Sequence, residues 1–130
     1  MIVQKVSSVI QTHIVGVSRS TKIAAAMKVM ERSAVPALPI LHGSTLVGTV
    51  TRVEIEKAIR AGREIETTTI DKIMKKNFKF VEADDSIDEA GKLMIKYHLP
   101  RIPVVNNSDE MHCIGMVSST EILNAKNKRK

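Results

Sequence analysis

Apolar residues along this chain fall into two similar helical stripes. Ile23, Ala26, Met27 and Met30 recur at i, i+3, i+4 and i+7, and Ile87, Ala90 and Met94 repeat that spacing further on. Side chains so placed share one face of a helix. Asp85 stands where an N-cap of the second helix is expected, with Asp88 three residues later, and Pro36 and Pro100 are expected to stop the two helices. A short apolar stretch precedes each helix, at residues 14–17 and 78–81. After each helix a hairpin is predicted. Its strands are 38–41 and 46–51, turning through His42-Gly43-Ser44, and then 102–105 and 114–118, turning through Asn106-Asn107-Ser108-Asp109. A second helix closes each series, at about 52–61 and about 119–127, and Gly62 sits where a C-terminal cap is expected. The order is β-α-β-β-α, twice, which is a mixed α+β fold.

The two series are copies of one another. At an offset of 64, Ile23, Ala26, Lys28, Met30, Pro36 and Pro39 fall on identical residues, six matches in 17 positions where about one is expected from average usage. The same register sets Val6-Ser-Ser-Val-Ile10 on Ile70-Asp-Lys-Ile-Met74. Beyond the hairpin the offset is 67, and Gly48, Val50, Glu54, Ile55 and Ala58 meet their equals at Gly115, Val117, Glu121, Ile122 and Ala125. The extra residues lie in the polar stretch 106–114, where an insertion costs little. The chain therefore divides into a first repeat at 1–62, a linker at 63–69, a second repeat at 70–126 and a basic tail at 127–130. A unit of this size buries too little surface alone, so the two repeats are expected to pack together.

Composition narrows the function classes. Phe78, Phe80 and Tyr97 are the only aromatic residues, too few for a base-stacking platform on single-stranded nucleic acid. No apolar run approaches a membrane span, and the N-terminus lacks the pattern of a secretory signal. One cysteine, Cys113, excludes an internal disulfide and fits a reducing compartment, so a cytoplasmic protein is expected. Of the net charge of +6, Lys126, Lys128, Arg129 and Lys130 supply four, leaving 6 − 4 = +2 for the rest. Such a tail reads first as a solvated terminus, and second as a contact for a polyanion. His13, His42, His98 and His112 are scattered, Cys113 beside His112 lacks further metal ligands nearby, and Glu64 and Glu66 read as solvated. No catalytic set emerges, and no metal site.

The duplicated pattern resembles the tandem cystathionine-β-synthase-type (CBS) domain pair, or Bateman module. The resemblance rests on Ile70-Asp-Lys-Ile-Met74, Asp84-Asp-Ser-Ile-Asp-Glu-Ala90, Leu99-Pro-Arg-Ile-Pro-Val-Val105 and Gly115-Met-Val-Ser-Ser-Thr-Glu121. The first repeat keeps the skeleton in Val35-Pro-Ala-Leu-Pro-Ile40 and Gly48-Thr-Val-Thr-Arg-Val-Glu54. Nearly the whole chain is covered. The resemblance implies two pseudo-symmetric clefts that bind AMP, ADP, ATP or S-adenosylmethionine as a regulatory ligand, with no cofactor required. It also implies a homodimer and a stand-alone module acting on a separate, unidentified protein, without enzymatic activity or membrane attachment.

The family's ligand motif joins a Gly, a hydroxyl residue and an acid, matched by Gly48, Thr51 and Glu54 and by Gly115, Ser118 and Glu121. Both acids are Glu, where the family usually has Asp. A strand entering a helix N-terminus presents free N–H groups to phosphate, while hydroxyl and carboxylate suit phosphate and ribose. The same Thr-x-x-Glu and Ser-x-x-Glu spacings also form capping boxes. Arg101 matches a family position that can contact phosphate, and its counterpart is Ala37, so the two clefts differ. Lys79 is a second cationic candidate. Ile14, Val15, Val35, Pro36, Phe78, Leu99 and Pro100 occupy the places expected to wall the adenine. Alternatives are a ligand-free scaffold and, less favoured, a nucleic-acid accessory protein using the tail with Lys72, Lys75, Lys76 and Lys79.

Overall fold

The computed structural model describes residues 3–128. Its elements follow the predicted order. The first repeat gives β1 (Val17–Ser18), α1 (Ile23–Ser33), β2 (Ala37–His42), β3 (Thr45–Thr51) and α2 (Arg52–Arg60). The second gives β4 (Val81–Glu82), α3 (Ile87–Lys96), β5 (Arg101–Val105), β6 (Cys113–Ser118) and α4 (Ser119–Lys128). Each repeat forms one three-stranded sheet. In the first, β1 runs parallel to β2 with Val17 opposite Ile40, and β3 pairs antiparallel with β2. In the second, β4 runs parallel to β5 with Val81 opposite Val104, and β6 pairs antiparallel with β5. The irregularity between Ile40 and Leu41 recurs between Val104 and Val105, so the duplication extends to a defect in the ladder.

Helix ends correct two expectations. The N-cap of α3 is Ser86, whose hydroxyl accepts from the Glu89 N–H at 3.1 Å; the Asp85 carboxylate instead accepts from the Glu82 N–H at 2.8 Å. The prolines do not stop the helices. Ala34 and His98 turn left-handed, each at φ 54°, and the next N–H in each case, of Val35 and of Leu99, returns to the carbonyl of Met30 or Met94. Such a turn satisfies the last free carbonyls of a helix before Pro36 or Pro100 is reached. The C-cap of α2 is Ala61, and Gly62 follows it at φ +82°, its N–H returning to the Ile59 carbonyl at 3.0 Å.

Two compact units emerge, and they cut across the repeat boundaries. One is Val15–Phe78; the other joins the N-terminal stretch up to Ile14 to the chain from Lys79 onward. Each repeat thus gives its opening segment to the other unit. Ile70, fully buried, completes a core of Ile23, Ala26, Leu38, Ile40, Val50 and Ile55, and its N–H donates to Thr21 O at 2.7 Å. Val6, also fully buried, completes a core with Ile87, Ala90, Ile102, Val104, Val117 and Ile122, and its N–H donates to Asp85 O at 2.8 Å. The stretch 63–69, read from the sequence as a linker, is tied to the first unit. Ile65 packs on that core, and the carbonyls of Ile65 and Thr68 accept from Ala24 and Ile23 at the start of α1. The stretch read as a tail is helical through Lys128, and Lys126 pairs with Asp88 at 3.3 Å. Arg129 and Lys130 lie outside the described residues.

Candidate functional site

Gly48 and Gly115 prove to be the places where the exchanged segments cross the sheets. The backbone of Lys75 pairs with Thr49 through two hydrogen bonds of 2.8 and 3.0 Å, and Gln11 pairs with Met116 through two of 2.9 and 3.0 Å. A Cβ on Gly48 would lie 2.5 Å from Met74 Sδ and 3.0 Å from Lys75 O. On Gly115 it would lie 2.6 Å from Gln11 O. The glycine of the motif is thus required by the close approach of a neighbouring backbone.

The hydroxyl and acid of each motif stand at a strand-to-helix junction, and there they cap. Thr51 Oγ1 accepts from the Val53 N–H at 3.2 Å and donates to Glu54 Oε1 at 2.9 Å, while the same carboxylate oxygen accepts from the Thr51 N–H at 2.7 Å. Ser118 Oγ accepts from the Glu121 N–H at 3.2 Å, and Glu121 Oε1 accepts from the Ser118 N–H at 2.9 Å. Both are reciprocal capping boxes. One difference matters for ligands. The Thr51 hydroxyl proton is committed to Glu54, whereas the Ser118 proton has no acceptor among the described residues.

Cross-strand register brings the cation to the second junction. Arg101 lies directly opposite Ser118, and at the same place in the first unit Ala37 lies opposite Thr51. Arg101 is exposed, and its guanidinium makes no hydrogen bond or ion pair with a described residue. The Pro100 carbonyl accepts from the Ser119 N–H at 2.9 Å, so Pro100, Arg101, Ser118 and Glu121 converge at one end of the β5–β6 ladder. Thr51 and Glu54 converge with Ala37 at the matching end of β2–β3.

The remaining candidates scatter. Lys79 holds its ammonium 4.4 Å from the centre of the Tyr97 ring, a cation–π contact shared with Lys96 at 5.4 Å. Tyr97 was missed by the sequence reading, although its position next to Lys96 was visible. Val35 and Leu99 pack on the two cores from the helix-ending turns. Leu99 and Pro100 also line a groove of about 550 Å³ between α3 and α4. Ile14 and Lys79 belong to the second unit, and Val15, Pro36 and Phe78 to the first. Val15 packs on the first core, Pro36 is exposed, and Ile14 and Phe78 are half-buried. Cys113 is half-buried, and burial pushes its thiol up, against the pull of a weak contact to Gly115 O. All four histidines are exposed, and no group of three or more His, Cys, Asp or Glu among the described residues could hold a metal ion. No helix among them is long and apolar enough to cross a membrane.

Two sheets of one design, each flanked by two helices and each with a motif at its strand-to-helix junction, define a tandem α+β domain pair. The CBS domain model matches residues 6–61 and again 70–128, and the chain belongs to the CBS domain family. It is 30% identical over 118 residues to a homoserine O-acetyltransferase of Methanosarcina acetivorans, covering 90% of this chain and 21% of that one. It is 29% identical over 120 residues to an inosine-5'-monophosphate dehydrogenase of Korarchaeum cryptofilum, covering 92% and 24%. The chain thus spans less than a quarter of each of these relatives, whose names describe different chemistries. Among solved structures, the CBS domain pair of protein MJ0100, in complex with 5'-methylthioadenosine and S-adenosyl-L-methionine, matches with a TM-score of 0.78 and 25% identity, covering 99% of this chain and all of that one.

Proposed function

We propose that this chain is a regulatory module that binds an adenosine-containing ligand and conveys its presence to a partner protein, without catalysing a reaction itself. The observation that carries this reading is the convergence of Arg101, Ser118 and Glu121 at the strand-to-helix junction of the second unit. There a guanidinium fork, a free hydroxyl proton and the N-terminus of α4 suit a phosphate, a carboxylate or a ribose edge. AMP, ADP, ATP and S-adenosylmethionine all present such groups. The ligands held by the MJ0100 domain pair support the adenosyl class. Like stretches in relatives with unlike enzyme names support a module that serves reactions carried elsewhere.

The first junction has Ala37 in place of Arg101 and a hydroxyl already spent on Glu54, so it is the weaker anion site. Both capping boxes also favour a second reading, a ligand-free scaffold in which these residues only finish helices. Thermal unfolding with AMP, ADP, ATP and S-adenosylmethionine separates the two. A ligand at about 100 times its Kd should add about 2.7 kcal/mol, a shift of several degrees that Arg101→Ala cuts to about half or less for phosphorylated ligands. A flat response to all four would leave the scaffold. The nucleic-acid alternative predicts instead a polyanion affinity that falls steeply with salt.

A further inference from the structure

Charge in the second unit is sorted by end. Strands β4 and β5 run parallel, so α3 must carry the chain from the finish of one back to the start of the other. Strand β6 returns antiparallel, which sets Arg101, Ser118, the last turn of α3 and the first turn of α4 at one end. Every described carboxylate of the unit except Glu121 lies at the other end, between residues 82 and 89 or at 109–110 in the β5–β6 turn. There Lys5 answers Asp84 at 3.2 Å and Lys126 answers Asp88 at 3.3 Å. Lys79, Lys96 and Arg101 stand at the first end instead, and none of the three pairs with a carboxylate among the described residues.

These cations form two groups. Arg101 stands opposite Ser118 in the ladder. Lys79 and Lys96 hold their ammoniums 4.4 and 5.4 Å from the centre of one Tyr97 ring. The ring attracts both, yet two like charges about one ring repel each other, and an anion beside them relieves that repulsion. A single phosphate on Arg101 answers only one group. S-adenosylmethionine would bring a sulfonium and an ammonium to an end that is already cationic. A chain of two or three phosphates carries negative charge to both groups. Resting on the function proposed above, we propose that the ligand is an adenosine di- or triphosphate whose outer phosphate is taken by Lys79 and Lys96, with Tyr97 as the residue that positions their ammoniums.

Calorimetric titration of the full chain with AMP, ADP, ATP and S-adenosylmethionine tests this. ADP and ATP should bind at least about tenfold more tightly than AMP, and S-adenosylmethionine most weakly. Lys79→Met keeps the length of the side chain without its charge, and should cost ATP about tenfold but AMP less than about threefold. Tyr97→Phe should retain the preference for ATP and Tyr97→Leu should lose most of it, a split that a merely structural tyrosine would not produce. Lys92→Met removes the same charge one turn earlier on α3 and should leave the preference in place. AMP or S-adenosylmethionine binding as tightly as ATP would overturn this inference and leave the functional reading standing. Equal losses of ATP affinity from Lys79→Met and Lys92→Met would do the same, since net charge alone would then explain the preference. Binding of none of the four would overturn both.

Discussion

Duplication gave the two units of this protein the same sheet, the same bulge and the same exchanged opening segment, yet their chemistry has separated. The second unit sets Arg101 opposite Ser118 and exposes Ile95 and Leu123 on its helices. The first sets Ala37 opposite Thr51 and carries Glu31 and Glu56 instead. Six core positions are identical in the two units, and Val6 with Ile70, Leu38 with Ile102 and Ile40 with Val104 are exchanges among aliphatic residues. The changes of chemical character lie at a junction and a helix face, where a substitution leaves the core intact. Under the proposed function, ligand recognition is therefore expected to reside in the second unit, with the first as its structural counterpart.

The comparison is broken most forcefully at the exchanged segments. Ile70→Ala should cost about 3–4 kcal/mol in chemical denaturation, because it empties the first unit's core from a segment of the second repeat. A loss under about 1 kcal/mol would mean the segment is an ornament of the fold. The glycines sharpen the contrast next. Gly115→Ala meets a backbone carbonyl, Gln11 O, and should cost about 2–3 kcal/mol, while Gly48→Ala first meets the flexible Met74 side chain and should cost about half that. Equal losses would mean that the Met74 side chain cannot give way beside Gly48.

Ligand binding gives the third test. Arg101→Ala should weaken a phosphorylated adenosine ligand by about tenfold or more in calorimetric titration, a loss of about 1.4 kcal/mol. Thr51→Ala should cost about 1 kcal/mol of stability by removing a cap, with little effect on that titration. The smallest effect distinguishes the segments by pH. The Thr69 hydroxyl donates to the Asp71 carboxylate and holds it below its ordinary 3.8, with burial opposing and Lys72 assisting. A carboxylate lowered on folding adds stability above its unfolded value, and that share is lost as pH falls through the folded value. Acid unfolding below about pH 4 should therefore respond to Thr69→Val, whereas Ser7, the counterpart of Asp71, offers no carboxylate to titrate.

Much of this architecture was legible in the residues. Helical stripes, hairpin turns and the offsets of 64 and 67 depend on local periodicity, which the chain carries on its own. The Arg101/Ala37 asymmetry was legible too, since it needs only the alignment of one repeat on the other. Helix ends were less so. Ser86 rather than Asp85 caps α3, because the two positions compete for neighbouring N–H groups and only backbone geometry assigns them. Val35 and Leu99 read equally well as ligand wall or core, and their roles at helix-ending turns appear only with the chain folded.

The sequence by itself determined that this is a duplicated α+β chain and which pairs of residues are equivalent, because periodicity and repetition are properties of order along the chain. Only the tertiary structure decided that Val6 completes the core with Ile87 and Ile70 the core with Ile23, and that Gly48 and Gly115 make room for the crossing segments. The physical reason is that each opening segment repeats the apolar pattern of its counterpart, with Val6, Val9 and Ile10 standing where Ile70, Ile73 and Met74 recur. Local pattern cannot say which copy of a buried apolar side chain fills which core; that choice is made by the path of the chain between them.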